Sequence, residues 1–171
     1  YKTKNPLRIT GFDNQMVGWS SGKLSFYLDS VFRKYDLPIT HHHNYSTEIV
    51  PLIDSLKNNY GKYQDNNEDL ILKYLDTCYN QLSKFLPQNS FEIMLVKNLI
   101  AECKEFINHT NIPEAYNIRD RQMFENLNWI IKSKYPKDKI IVWSASQHIA
   151  KASRQKIPKN SISMKSMGNY L

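Results

Sequence analysis

Residues 117–149 of this chain read NIRDRQMFENLNWIIKSKYPKDKIIVWSASQHI. The first half repeats apolar residues at helical spacing and stops before Pro136, which predicts a helix over about residues 119–134. The second half contains the run from Lys139 to Trp143, whose apolar residues do not alternate with polar ones. Such a run predicts a strand that is covered on both faces. His148 follows this strand, at the position where open α/β sheets build their ligand sites.

The remaining sequence adds one short strand and several helices. Residues 7–13 alternate and end at Gly11 and Asp13, which predicts a strand that enters a loop. Apolar residues at helical spacing predict helices at about residues 24–37, 47–60, 71–85 and 90–107, the last one capped by Ser90. We therefore expect a helix-rich α/β fold with a mostly parallel sheet flanked by helices. Two strands cannot form a stable sheet alone, so part of that sheet is expected outside these residues.

Length and composition exclude several classes of protein. A chain of 171 residues with 41% hydrophobic and 12% aromatic residues is able to bury a core. No apolar run approaches the roughly 18 residues that cross a bilayer, and no signal-peptide pattern opens the chain. We expect a soluble piece of a longer protein without a membrane span. Its compartment and oligomeric state stay open, with the cytoplasm favoured.

Neither the net charge nor the two cysteines indicate a specific chemical function. The net charge is +7, but the lysines are spread along the chain and no nucleic-acid-binding signature accompanies them, so we predict no nucleic-acid partner. The densest basic stretch, residues 151–165, is able to steer an anionic ligand toward the region after His148. Cys78 and Cys103 lie on the apolar stripes of predicted helices, which indicates buried free thiols.

Six polar residues are the candidate site residues. His148 is a candidate for the base or for a supporting role beside it, because a neutral imidazole accepts a proton from water near neutral pH. Arg119 is a candidate donor for a developing oxyanion. The supporting candidates are Asp13, Asp120, Glu125 and Asn126. Asp13 is placed to orient a histidine, and Asp120 is expected near a helix start, where the helix dipole favours an acid.

Each candidate also has an ordinary structural interpretation. A histidine near a strand end often only completes hydrogen bonds, and an acid after a glycine is often a turn former. The run His41 to His43 does not predict a metal site, because consecutive histidines do not share a face and no Cys or acid lies at ligand spacing.

Four blocks of the sequence, in this order, resemble the erythromycin esterase-like family: Gly11 to Gln15, Arg119 to Asn126, Ile141 to His148, and Ser166 to Leu171. The resemblance implies that residues 1–171 are part of a single domain of this family, with a helical insertion at about residues 47–110. It also implies a metal-independent hydrolase without a cofactor, acting on a small-molecule ester or on the lactone of a macrolide antibiotic.

The resemblance implies a water-activating Glu-x-x-His motif upstream and a second histidine in the same cleft, which His148 matches. The upstream motif is not among these residues, so we expect them to have little or no activity by themselves. The family commonly carries Trp-Ala-His-Asn-x-His where residues 143–148 read WSASQH. This departure keeps open a second interpretation, a non-catalytic ligand- or saccharide-binding module that has kept the fold.

Overall fold

The computed structural model describes residues 8–13, 23–51, 68–150 and 164–171. Short 3-10 turns occur at Pro38–His41 and Met167–Asn169, and π-helical turns at Tyr45–Ile49 and Ile130–Lys134. None of the helices in these ranges has both the length and the apolar character required to cross a bilayer. The α-helices are α1 (Leu24–Lys34), α2 (Glu68–Leu82), α3 (Phe91–Ile107), α4 (Ile112–Trp129) and α5 (Ser146–Ile149).

The apolar stripes of the sequence form α1, α2 and α3 close to the predicted positions. The predicted N-cap of α3 is also present, because the Ser90 hydroxyl oxygen accepts a hydrogen bond from the backbone N–H of Ile93 at 3.4 Å. Helices α2 and α3 pack against each other, and α3 also packs against α4. Beyond residue 51, the helix predicted at about residues 47–60 lies outside the described residues.

The main core lies between α1, the Pro38–His41 turn, α2 and α3. Phe32, Leu75 and Leu99 are fully buried there. Cys78 and Cys103 are both buried in the same core and are not joined in a disulfide, which confirms the prediction. Burial raises the pKa of the Cys78 thiol to about 12, so this sulfur is not a nucleophile near neutral pH.

A smaller apolar cluster positions the candidate site. Met123 and Leu127 of α4 pack with Met167 of the second 3-10 turn, and Phe12 and Phe124 pack against them. The cluster joins three segments that are far apart in the sequence. We call residues 164–171 the closing segment, because it lies against α4 at the end of the chain.

The structure corrects the predicted start of α4. The helix was expected from about residue 119, but it begins at Ile112 with Pro113 in its first turn. Proline is favoured there because the first backbone N–H groups of a helix have no partner within the helix. Asp120 therefore lies in the middle of α4, and the helix-dipole explanation for this residue is wrong. The predicted end at Lys134 is reached through the π-helical turn.

The predicted α/β class is wrong for the described residues, which are helical and contain no strand. Residues 139–145 are irregular, with Ile141 89% and Trp143 93% exposed. A strand needs a neighbouring backbone to satisfy its N–H and C=O groups. β-branched and aromatic composition suits a sheet, but it does not supply that neighbour. The helical insertion at about residues 47–110 stays a prediction.

Truncation of a core leucine tests this packing. Leu99→Ala removes a fully buried side chain between helices, so we expect unfolding to become easier by about 2–5 kcal/mol. The control is Phe26→Ala on α1, where the ring is 73% exposed and the expected change is within about 0.5 kcal/mol. Urea unfolding followed by circular dichroism measures both. Equal losses at the two positions would contradict the assignment of the core.

Candidate functional site

A buried carboxylate–imidazole pair forms the centre of the candidate site. Oδ1 of Asp120 on α4 lies 2.7 Å from Nδ1 of His148 on α5, and both residues are buried. An ionised carboxylate only accepts hydrogen bonds, so in this pair Nδ1 carries the proton. Within the part of the chain that the structure describes, Nε2 of His148 has no hydrogen-bond partner. That nitrogen is consequently the atom able to accept a proton from water.

The closing segment holds the other side of the Asp120 carboxylate. The backbone N–H of Met167 donates to Oδ2 of Asp120 at 2.7 Å. One helical turn earlier, Asn117 Oδ1 accepts a hydrogen bond from the backbone N–H of Lys165 at 2.6 Å. The Ser166 hydroxyl donates to the carbonyl of Ala150, just after α5. The segment therefore ties α4 to the end of the short helix that carries His148.

Gly168 allows this close approach. A Cβ at residue 168 would lie 2.2 Å from the carbonyl oxygen of Ile149, which belongs to the backbone and cannot rotate away. A hydrogen atom in place of a methyl group is thus required where the closing segment meets α5.

Burial dominates the electrostatics of Asp120. Loss of water raises the pKa of its carboxyl group above the ordinary value. The hydrogen bonds from Met167 and His148, and the charges of His148 and Arg119, oppose that shift without cancelling it. The carboxylate therefore depends on its two hydrogen-bond donors to remain ionised.

Arg119, the residue before Asp120, forms an ion pair with Asp13. Arg119 donates from Nε and Nη2 to the two carboxylate oxygens of Asp13, at 3.2 and 2.6 Å. Two parallel bonds of this kind fix the plane of a guanidinium group. Arg119 and Asp120 are adjacent, so their side chains diverge by about 100° around the helix and meet different segments.

A cluster of amide side chains contacts Phe12, the residue before Asp13. Asn126 donates from Nδ2 to the Phe12 carbonyl at 2.9 Å and to Asn98 Oδ1 at 2.6 Å. Its own Oδ1 accepts from Nε2 of Gln122 and Nδ2 of Asn98, at 3.0 and 3.1 Å. Two contacts along α4, at Arg119 and Asn126, thus attach residues 12 and 13 to the helix.

All six predicted site residues lie on α4 or contact a residue of it. Asp120, and not Asp13 as expected, is the acid that contacts His148, while Asp13 contacts Arg119. Glu125, which is also on α4, pairs instead with Arg121 at 3.5 Å, where the Arg121 side chain is 70% exposed and that of Glu125 36% exposed. No group of three or more His, Cys, Asp or Glu in the described ranges is arranged to hold a metal ion.

Sequence reasoning missed Tyr116 and the backbone of Met167. The Tyr116 ring stacks on the His148 imidazole, with centroids 5.5 Å apart and planes 9° apart. Its hydroxyl donates to the carbonyl of Gln147 at 2.9 Å, and burial raises the pKa of the phenol, which keeps this donor protonated. If the helix had been predicted to begin before residue 116, Tyr116 would have been expected on the same helix face as Asp120, because the two residues are four positions apart.

The arrangement contains an imidazole whose Nδ1 edge is fixed by Asp120 and a guanidinium group, on the neighbouring residue of α4, that is fixed by Asp13. A model of the family described as "Erythromycin esterase" matches residues 1–171. The chain therefore belongs to the erythromycin esterase family, as the resemblance of the four sequence blocks predicted.

One curated relative supports the same class of protein. The chain is 27% identical over 197 aligned positions to a protein of Bacillus subtilis (strain 168) named "Putative hydrolase YbfO". The alignment covers 98% of this chain but 42% of that relative. No solved structure matches the chain. The chain therefore spans less than half of the length of this relative.

Substitution of Gly168 tests the contact between the closing segment and α5. Gly168→Ala forces the backbones of residues 149 and 168 apart, so we expect a loss of about 1–3 kcal/mol in unfolding free energy and altered ring signals of His148 in NMR spectra. The matched control is Gly11→Ala, where a Cβ meets nothing within 4 Å. The contact is refuted if the two variants have the same stability and the same His148 signals.

The pH dependence of stability tests the burial of Asp120. A pKa raised in the folded state means that the native protein binds this proton more tightly than the unfolded chain does. The resulting stability is fully present below the ordinary pKa of 3.8 and is lost as pH rises through the raised folded-state pKa. We therefore expect the difference in unfolding free energy between wild type and Asp120→Asn to shrink across this window. A difference that is constant with pH would contradict the raised pKa.

Proposed function

We propose that this chain carries part of the active site of an ester hydrolase, in which His148 exchanges a proton with the attacking water at Nε2. The observation that supports this proposal is the buried 2.7 Å contact between Asp120 and Nδ1 of His148. Asp120 fixes the Nδ1–H tautomer, which leaves Nε2 as the basic nitrogen. This is the arrangement that a general base requires.

The reaction follows from that arrangement. As the water oxygen bonds to the ester carbonyl carbon, its proton passes to Nε2, and the carbonyl oxygen becomes an oxyanion. The intermediate then expels the alcohol, which takes the proton back from Nε2 as the carbon–oxygen bond breaks. Asp120 stabilises the transient imidazolium, because a carboxylate at Nδ1 offsets its positive charge.

Arg119 is the proposed oxyanion donor. A guanidinium group stays charged at every relevant pH, so it stabilises the negative oxygen that forms during attack. Its two bonds to Asp13 hold the guanidinium plane in place before substrate arrives. A preorganised donor of this kind does not have to reorient during the reaction.

The family resemblance adds the remaining parts of the proposal. It implies that a Glu-x-x-His motif elsewhere in the full-length protein shares the activation of water, without a metal ion. The substrate would be a small-molecule ester, with a macrolide lactone as one member of the class to test. For this reason the experiments below use the full-length protein.

Replacement of the central pair tests the proposed function. His148→Ala removes the basic nitrogen, and we expect it to abolish turnover of the ester substrates. In Asp120→Asn the amide donates to Nδ1, so the ring proton moves to Nε2 and the base is lost. We expect kcat to fall on the order of 10³- to 10⁴-fold in this variant. Hydrolysis of generic aryl esters and of macrolides is measured for each variant, with circular dichroism to confirm folding.

The chain offers a matched control for these substitutions. Asp36 and Nε2 of His41 also form a carboxylate–imidazole contact, at 2.8 Å, but both side chains are mostly exposed. Asp36→Asn is expected to keep wild-type turnover. Full activity in folded His148→Ala would overturn the proposal. Absence of turnover in wild type on every ester, with saccharide binding retained, would favour the non-catalytic binding module instead.

A further inference from the structure

The His148 imidazole needs support that its own helix cannot supply. Helix α5 has four residues, which is one turn, and a single turn is not stable by itself. The contact with Asp120 restrains one edge of the ring, through Nδ1. One hydrogen bond still allows the ring plane to rotate about the axis of that bond. A second restraint is therefore required before the Nε2 edge has a fixed direction.

Tyr116 supplies contacts of the required kind. Its ring lies nearly parallel to the imidazole, at 9° and with centroids 5.5 Å apart, so it covers one face of His148. Its hydroxyl donates to the carbonyl of Gln147, the residue before His148, and so anchors the backbone of α5. Tyr116 and Asp120 are four residues apart on α4, which places both contacts on one face of one rigid helix.

We propose that Tyr116 is a positioning residue of this site: its ring fixes the plane of the His148 imidazole, and its hydroxyl fixes the backbone that carries it. The inference rests on the proposed function in one respect, because the direction of Nε2 matters only if Nε2 handles the proton. Tyr116 acts through His148. A misplacement of about 1 Å in a catalytic group is able to cost roughly 10²-fold in rate, so a positioning effect is measurable.

Two variants of the full-length protein separate the two contacts. Tyr116→Phe keeps the ring stack and removes only the hydroxyl. Tyr116→Leu removes both, while leucine remains a good helix former for α4. We expect Tyr116→Leu to lower kcat by roughly 10- to 100-fold with KM changed less than about twofold. Tyr116→Phe should recover most of that loss. A purely structural role would reduce the amount of folded protein and leave kcat per folded molecule unchanged.

NMR of the His148 ring gives a readout that does not depend on activity. The ring signals are identified by their absence in His148→Ala. In wild type, the stacked Tyr116 ring should shift the carbon-bound ring protons of His148 upfield. The shift should persist in Tyr116→Phe and be lost in Tyr116→Leu. Absence of the upfield shift in wild type would overturn the stack and the proposal with it.

The combined results distinguish failure of this inference from failure of the proposed function. If His148→Ala is inactive while folded Tyr116→Leu has the wild-type kcat, the positioning role is wrong and the ester hydrolase proposal stands. If wild type hydrolyses no ester, or His148→Ala retains activity, the proposed function is wrong. In that case the NMR comparison still decides whether Tyr116 fixes the ring of His148.

Discussion

Burial of the Asp120 carboxylate is the constraint on which the arrangement of this site depends. Removal of an ionised group from water costs several kcal/mol, which must be offset by hydrogen bonds of good geometry. Here the offset comes from Nδ1 of His148 and the backbone N–H of Met167, each at 2.7 Å. Because these donors belong to different segments, the need to satisfy one carboxylate brings α5 and the closing segment onto α4.

Different residues of helix α4 contact different segments of the chain. Asn117 and Asp120 hold the closing segment, while Arg119 and Asn126 hold residues 12 and 13. The Arg119 contact alone joins positions 106 residues apart. A long, well-formed helix is suited to this role, because residues three, four and seven positions apart share a face and keep fixed distances from each other.

Two acids of the site have different environments, which suit different tasks. Asp120 is fully buried, and its carboxylate contacts the imidazole of His148. Asp13 is 42% exposed and touches a guanidinium group, so its charge orients Arg119. In the mechanism proposed above, the first environment serves proton transfer and the second serves charge stabilisation. The chain belongs to the erythromycin esterase family.

The amino-acid sequence by itself determined the positions of α1, α2 and α3, the buried thiols and the family. The stripes of α1, α2 and α3 could be predicted because helical periodicity is local. The strand predicted at residues 139–143 was wrong, since strand formation depends on a neighbouring backbone that composition does not reveal. Only the tertiary structure decided that Asp120, rather than Asp13, meets His148, and that Tyr116 covers its ring. Those contacts join separate segments, and hydrogen-bond geometry and close packing select them only once the segments are brought together.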